Sequence, residues 1–162
     1  MSSSETPSAH RTPHAVGGSA LVTNQSVSLE AALEIARVGV QAGRERKSEV
    51  AIAVVDQAGI LLVLLRADRA TEQFVDGAMQ KAWTALNLRA STRDVLTTIQ
   101  SGEQDNDQLP FIPKSLFLMG GVPLSVGSEV VGAVGAAGCV NGLDDDAVAE
   151  AAAEAFRNMA QS

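Results

Sequence analysis

The sequence predicts an α+β domain in which helices flank a five-stranded antiparallel sheet, in the order α-β-β-α-α-β-β-β-α. Segments with apolar residues at helical spacing occur between short apolar, β-rich runs, and short turn sequences join neighbouring runs. The 162 residues are 46% apolar but only 3% aromatic, which is enough for one core built from small aliphatic side chains.

The first helix and a hairpin account for residues 29–65. Ser28 is a natural N-cap, and apolar residues follow it at helical spacing, namely Leu29, Ala32, Leu33, Ala36 and Val40. Residues 50–55 and 60–65 are apolar, β-rich runs, and residues 56–59 between them suit a four-residue turn. We therefore expect an amphipathic helix followed by two paired strands, with Asp56 acting in the turn rather than in catalysis.

The middle of the chain predicts two more helices and a long connection. Thr71 can cap a helix that runs through residues 74–90, and Ser91 or Thr92 can cap a shorter one through residue 99. Residues 100–114 are polar, contain two prolines and exceed an ordinary connection in length. Long connections of this kind are often functional, so this segment belongs to the candidate site.

The last third predicts three strands and a final helix. The strands are expected at residues 116–119, 123–126 and 130–137. Asp144 begins an acidic first turn, and the Ala-rich residues after it favour a helix. We interpret the three consecutive aspartates as a helix cap rather than a metal site, because metal ligands usually come from several elements.

Composition limits the partners that the chain can have. Residues 1–21 are rich in Ser, Thr, Pro and Gly and predict a flexible tail, so residues 22–162 form a single domain. The net charge of -7 argues against nucleic acid and anionic membrane surfaces. A single cysteine and the lack of a spanning apolar segment predict a cytoplasmic protein.

Glycines interrupt the otherwise apolar segment 116–150. Gly120 and Gly121 precede Val122 and Pro123, so the backbone can turn there and approach another group closely. Their N–H groups could bind a carboxylate or phosphate. Alternatively, these glycines serve only tight packing between the sheet, its helices or a neighbouring subunit.

Four segments, taken in order, resemble the GlcG/HbpS family, which includes the C-terminal domain of PduO-type proteins. They are VAIAVVDQAGILLVLLRAD, QKAWTA, GGVPLSVGSEVVGAVGAAG and DDDAVAEAAAEAF, and the match covers residues 23–159. The resemblance implies a profilin-like domain that assembles into rings or octamers, and some members bind haem. Many members have Arg-Met-Asp-Gly-Ala where this chain has Arg66, Ala67, Asp68, Arg69 and Ala70, which alters the pocket mouth if that turn lines it.

Polar residues that interrupt the apolar pattern form the candidate site. Arg66 and Lys81 could bind a carboxylate or carbonyl, and Gly120 and Gly121 could add N–H donors. Lys81 is the leading proton donor or acceptor, and Glu103 is its partner if the long segment folds over the site. Phe111 is the predicted apolar contact of the ligand. A lysine at an interface and an Arg66 salt bridge with Asp68 or Glu72 are the structural alternatives. No metal site is predicted.

Three functions remain open from the sequence. One is a small-molecule-binding protein with haem as the candidate cofactor. Its candidate iron ligands are Lys81, Met79, Met119, Cys139, Thr97 or Thr98, and His10 and His14 of the tail. The second is a small cofactor-independent enzyme that acts by acid-base chemistry on a carboxylated or carbonyl substrate. The third is a non-catalytic, homo-oligomeric accessory module.

Overall fold

The structure, a computed structural model, describes residues 22–102 and 112–162. Its elements are four helices and four strands, in the order α1 (Leu29–Glu45), β1 (Ala51–Asp56), β2 (Leu61–Arg66), α2 (Glu72–Leu88), α3 (Thr92–Ser101), β3 (Gly121–Val126), β4 (Glu129–Ala137) and α4 (Gly142–Ala160). The α+β class and the four helices are confirmed.

The four described strands form one antiparallel sheet in the order β2-β1-β4-β3. Helices α1 and α4 pack on one face of the sheet, and α2 packs on the other. Alternation along β1 explains this arrangement: Ile52 and Val54 join α1 and α4 in one buried cluster, whereas Ala51 and Ala53 join Ala78 of α2 in another. The sheet is therefore the central layer of the described residues.

One of the five predicted strands, at residues 116–119, is wrong. Within the described ranges this segment belongs to no ladder, and the Leu116 N–H donates instead to Thr84 Oγ1 of α2 at 2.9 Å. Leu116, Leu118 and Met119 line clefts rather than pack against a neighbouring strand, and such a short apolar run has the same sequence pattern as a strand. With four strands in place of five, the profilin-like order is not confirmed.

Local chemistry explains most of the element boundaries. Ser28 accepts a hydrogen bond from the Ala31 N–H, and Ser91 accepts one from the Asp94 N–H, as expected of N-caps. Asp56 Oδ1 accepts from the Ala58 and Ile60 N–H groups at 2.9 and 2.8 Å, so its predicted turn role is confirmed. Asn141, not Asp144, caps α4.

Helix α2 lies close to the sheet because glycines replace side chains beneath it. A Cβ on Gly135 would lie 2.7 Å from the Ala82 N atom and would also collide with the Ala78 carbonyl oxygen. A Cβ on Gly121 would collide with the Lys81 carbonyl oxygen and lie 2.8 Å from Thr92 Cγ2. The packing role proposed for glycines of segment 116–150 therefore applies to Gly121, and the same close packing is found at Gly135.

Candidate functional site

Lys81 is buried at the centre of the structure. Its side chain is 3% exposed, and its Nζ atom donates to Asp145 Oδ2 at 2.7 Å and to the Ala136 carbonyl at 3.0 Å. A lysine at this depth requires such partners, because an unpaired buried charge is strongly disfavoured. Lys81 thus links α2 to the end of β4 and to the start of α4.

Asp145 is held by the first turn of α4. The Asn141 side chain caps the helix by accepting from the Asp144 N–H, which places Asp145 one residue further into the first turn. Its second oxygen, Oδ1, accepts from the Cys139 N–H at 2.9 Å. A carboxylate is also favoured near the positive end of a helix. Both oxygens of Asp145 are therefore used, one by the lysine and one by the backbone.

Gly120 makes room for this ion pair. Its φ angle of 116° suits glycine, and a Cβ there would lie 2.6 Å from the Ala136 carbonyl oxygen, 3.0 Å from Asp145 Cβ and 3.2 Å from Lys81 Nζ. Any side chain at this position would intrude on the pair. Gly120 therefore supports the candidate site by leaving space for Lys81.

A cleft of about 560 Å³ opens beside the ion pair, between the first half of α2 and residues 116–118. Lys81, Asp145 and Cys139 form part of its wall, and carboxylates and amides of α2 form another part. We call it the larger cleft; its apolar lining comes from Phe74, Leu116, Leu118 and Ala137. The size and lining are those of a small-molecule site.

A second cleft of about 370 Å³, the smaller cleft, lies on another side of the same ion pair. Four residues line both clefts, namely Lys81, Leu118, Cys139 and Asp145. The remaining lining of the smaller cleft is mainly apolar and comes from Leu96, Met119, Val140, Asn141, Gly142 and Leu143. The Lys81–Asp145 pair is thus common to two adjacent clefts.

Cys139 contributes a thiol to both clefts. Burial is the main reason that the pKa of this thiol is raised to about 11, and the charges of Asp145 and Asp144 raise it further against a hydrogen bond with Ser48. The thiol is therefore protonated at neutral pH and is a poor nucleophile.

The structure brings together only some of the predicted site residues. Lys81, Gly120 and Gly121 are neighbours, although the Gly121 N–H is already donated to Thr92 Oγ1 at 2.9 Å. Arg66 lines neither cleft; it is exposed, and its Nη1 donates to the Ala70 and Asp68 carbonyls at 2.8 and 3.4 Å rather than to a carboxylate. Glu103 and Phe111 lie outside the described residues.

Two of the three consecutive aspartates have roles that the sequence analysis missed. Asp145 pairs with Lys81, and Asp146, which is 1% exposed, pairs with Arg93 of α3 at 2.5 Å. Burial raises the pKa of the Asp146 carboxyl against the effect of Arg93, and its Oδ1 has no hydrogen-bond partner among the described residues. The only sequence signal for these two pairings was the presence of three consecutive aspartates, which is more than one helix cap needs.

The fold and the two clefts define a small α+β domain built around a buried ion pair. A family model described as "Haem degrading protein HbpS-like" matches residues 27–154. The chain belongs to the HbpS-like family. The resemblance noted from the sequence is therefore confirmed.

Relatives from other organisms agree with this assignment. An uncharacterised 15.0 kDa protein of Citrobacter freundii, encoded in the dhaT-dhaS intergenic region, is 30% identical over 135 residues, which are 83% of this chain and 94% of that protein. A crystal structure of a double mutant of Streptomyces reticuli HbpS is 36% identical, covers 91% of this chain and 97% of its own, and superposes with a TM-score of 0.78.

Two further crystal structures share the fold. Klebsiella pneumoniae ORFY is 28% identical with a TM-score of 0.76, and the match covers 85% of this chain and 95% of ORFY. A complex of PduOC with haem is 23% identical with a TM-score of 0.72, covering 80% of this chain and 94% of PduOC. The likeness to PduOC shows the fold alone. Among the described residues, no helix combines the length and apolar character that crossing a membrane requires.

Proposed function

We propose that the chain binds a small, largely apolar molecule in the larger cleft, beside the Lys81–Asp145 pair. The observation that carries this proposal is a cleft of about 560 Å³ in which one apolar part of the wall, formed by Phe74, Leu116, Leu118 and Ala137, adjoins a buried ammonium. Apolar walls favour a ligand through surface burial, and a few fixed polar groups orient it. Lys81 is the group that orients the ligand.

Haem is the first ligand to test, since the family model describes haem-degrading proteins. The apolar part of the lining suits a porphyrin ring, and Cys139 Sγ is a candidate iron ligand in the larger cleft, provided that binding of the iron releases the thiol proton. Glu72 and Asp76 of the same lining do not favour the haem propionates. Bound haem would supply iron-centred redox chemistry, and the chain would contribute the apolar walls and Cys139.

A titration with haem tests this proposal directly. The absorbance band of haem should change saturably with the purified protein, and Cys139→Ser should shift the band because it exchanges the iron ligand. Val126→Ala is the control, because Val126 is exposed and lines neither cleft. A protein lacking residues 1–21 separates ligation by His10 or His14 from ligation by Cys139. Failure of haem to bind saturably would remove haem from the proposal.

Acid-base catalysis on a carbonyl compound is the second candidate function. The observation that favours it is the contact between Lys81 and Asp145, which places a proton donor and an acceptor in the wall of a cleft. Glu103 remains the predicted third group. Solvent deuterium exchange at the carbon next to the carbonyl of aryl ketones, followed by NMR, is the assay. Exchange that survives in both Lys81→Met and Glu103→Gln would exclude these residues as the catalysts.

We also propose that the protein is a cytoplasmic homo-oligomer, with an octamer as the expected form. Ile60, Leu61 and Met79 are exposed, and Leu61 and Met79 line one cleft with Trp83. Apolar groups of this size that are adjacent on a surface favour subunit contact. Light scattering at micromolar concentration should give a multiple of 16.7 kDa, and Met79→Lys should lower the observed mass. A monomer at that concentration would contradict the proposal.

A further inference from the structure

The two clefts share part of their lining, and we call the shared boundary formed by Leu118 and Cys139 the ridge. Leu118 is 54% exposed and lies in a segment without helix or strand. A leucine on such a segment can move more easily than one on a strand, because no sheet hydrogen bonds hold it. A molecule longer than one cleft can therefore extend across the ridge into the other.

We propose that the larger and smaller clefts form one site for an elongated, mainly apolar, uncharged molecule whose carbonyl oxygen accepts a hydrogen bond from Lys81. This inference rests on the proposed ligand-binding function but not on haem, whose carboxylates it disfavours, and it specifies a neutral class of ligand. It also assigns the smaller cleft as a second subsite, which binds the apolar arm beyond the carbonyl.

The carbonyl requirement follows from the hydrogen bonds of Lys81. An ammonium has three N–H donors, and the described residues supply acceptors for two of them, Asp145 Oδ2 and the Ala136 carbonyl. Lys81 lines both clefts, so the third donor is available where the clefts meet. A ligand that places an acceptor there satisfies a buried donor, which favours binding.

The absence of net charge on the ligand follows from the groups around Lys81. Asp145 already neutralises the ammonium at 2.7 Å, and Glu72 and Asp76 add negative charge to the larger cleft. Lys81 is the only cation among the described residues that line the two clefts. A carboxylate would therefore meet net repulsion, whereas a ketone, ester or amide oxygen would accept the hydrogen bond without it.

Matched fluorescent probes test the choice between neutral and anionic ligands. Prodan is a neutral naphthyl ketone whose emission shifts to the red when its carbonyl accepts a hydrogen bond, and anilinonaphthalene sulfonate is an anion of similar size. We expect wild-type protein to bind prodan about tenfold or more tightly than the sulfonate. In Lys81→Met, prodan affinity should fall about tenfold or more, and the bound emission should shift to the blue. The emission shift reports the hydrogen bond itself, which a purely structural role of Lys81 would not affect.

Asp145→Asn provides a second test, in which the affinity for the anion should rise. This test does not depend on the stability of Lys81→Met. Asparagine keeps an oxygen that can accept from the Cys139 N–H but leaves the ammonium without its counter-charge. The sulfonate should then bind about tenfold more tightly, while prodan affinity changes much less. Val126→Ala is the control, because Val126 is exposed and lines neither cleft.

The second subsite is tested with a prodan homologue that carries a hexanoyl chain in place of the propionyl group. Leu143 lines only the smaller of the two clefts and is 62% exposed, so Leu143→Ala should leave the fold intact. It should weaken the homologue several-fold and leave prodan unchanged. Equal effects on both ketones, or none on either, would show that the clefts are separate.

The outcomes distinguish this inference from the proposed function. Tighter binding of the sulfonate than of prodan by wild-type protein would overturn the inference while leaving a ligand site in place. So would a folded Lys81→Met variant that keeps both the prodan affinity and the emission, or a folded Asp145→Asn variant with no gain for the sulfonate. If neither ketone, nor the sulfonate, nor haem binds saturably to wild-type protein, the proposed function itself is wrong.

Discussion

Replacing Gly135 by alanine should destabilise the protein because the helix above it has no space for a methyl group. A Cβ at this position would lie 2.7 Å from the Ala82 N atom, about 0.7 Å inside the 3.4 Å at which ordinary contacts begin, and would collide with the Ala78 carbonyl as well. The obstacle is helix backbone, so α2 must move as a unit, and Ala78 and Ala82 lose their buried contacts with the sheet. Overpacking of this kind costs about 3 kcal/mol, the upper part of its usual range. For a domain of this size the melting temperature should fall by about 6 to 12 °C.

Urea denaturation followed by circular dichroism measures this effect, with Gly77→Ala as the matched control. Gly77 lies on α2 itself, and a Cβ there would lie an ordinary 3.4 Å from Ala137 Cβ. A glycine inside a helix is less favourable than alanine by about 1 kcal/mol, so the control should be neutral or stabilised. The slope of the unfolding free energy against urea concentration should be the same as in wild type if only the stability of the native state changes. A Gly135→Ala variant as stable as wild type would refute the close approach of α2 to the sheet.

Three further predictions concern the thiol, a buried carboxyl and the N-terminal residues. At about pH 8, iodoacetamide should alkylate Cys139 about a hundredfold more slowly in the folded protein than in urea, because its pKa is raised from 9.0 to about 11; equal rates would contradict this. Burial raises the pKa of Asp146 above its ordinary 3.8, so its contribution to stability is present below pH 3.8 and lost as the pH rises through the raised value. The unfolding free energy of Asp146→Asn relative to wild type should therefore increase over that interval, and a constant difference would refute the reasoning. Deletion of residues 1–21 should leave the melting temperature and the oligomer almost unchanged, whereas a large fall would show that these residues fold onto the rest.

Most of the fold could be predicted from the sequence because its signals are local. The spacing of apolar residues in α1 and the capping serines at positions 28 and 91 depend only on neighbours along the chain. The same applies to Asp56 in its turn. Residues 116–119 misled the prediction because apolar residues that line a cleft show the same short pattern as those that fill a sheet. Hydropathy alone does not distinguish these two environments.

The candidate site was predicted only in part because its main contact joins residues that are far apart in sequence. Lys81 is conspicuous as the only charged residue in the QKAWTA segment, but its partner Asp145 looks like any acidic residue at a helix start. The pairing depends on how α2 lies across the sheet, and that depends on Gly135. Arg66 ends a strand as expected, yet its guanidinium turns to the carbonyls of its own loop. The local spacing of residues encodes neither the pairing of Lys81 with Asp145 nor the direction of the Arg66 side chain.

The close approach of α2 to the sheet also has an evolutionary consequence. The side of the helix that faces Gly121 and Gly135 tolerates almost no change in size, because its neighbours are backbone atoms. Its opposite side, with Gln73, Asp76 and Gln80, faces clefts and solvent, where substitutions leave the sheet undisturbed. Selection can therefore change what the clefts accept, one residue at a time, without first finding compensating mutations in the core. A single helix thus combines a constrained surface with an adaptable one, and new ligand preferences can arise in this scaffold at little risk to folding.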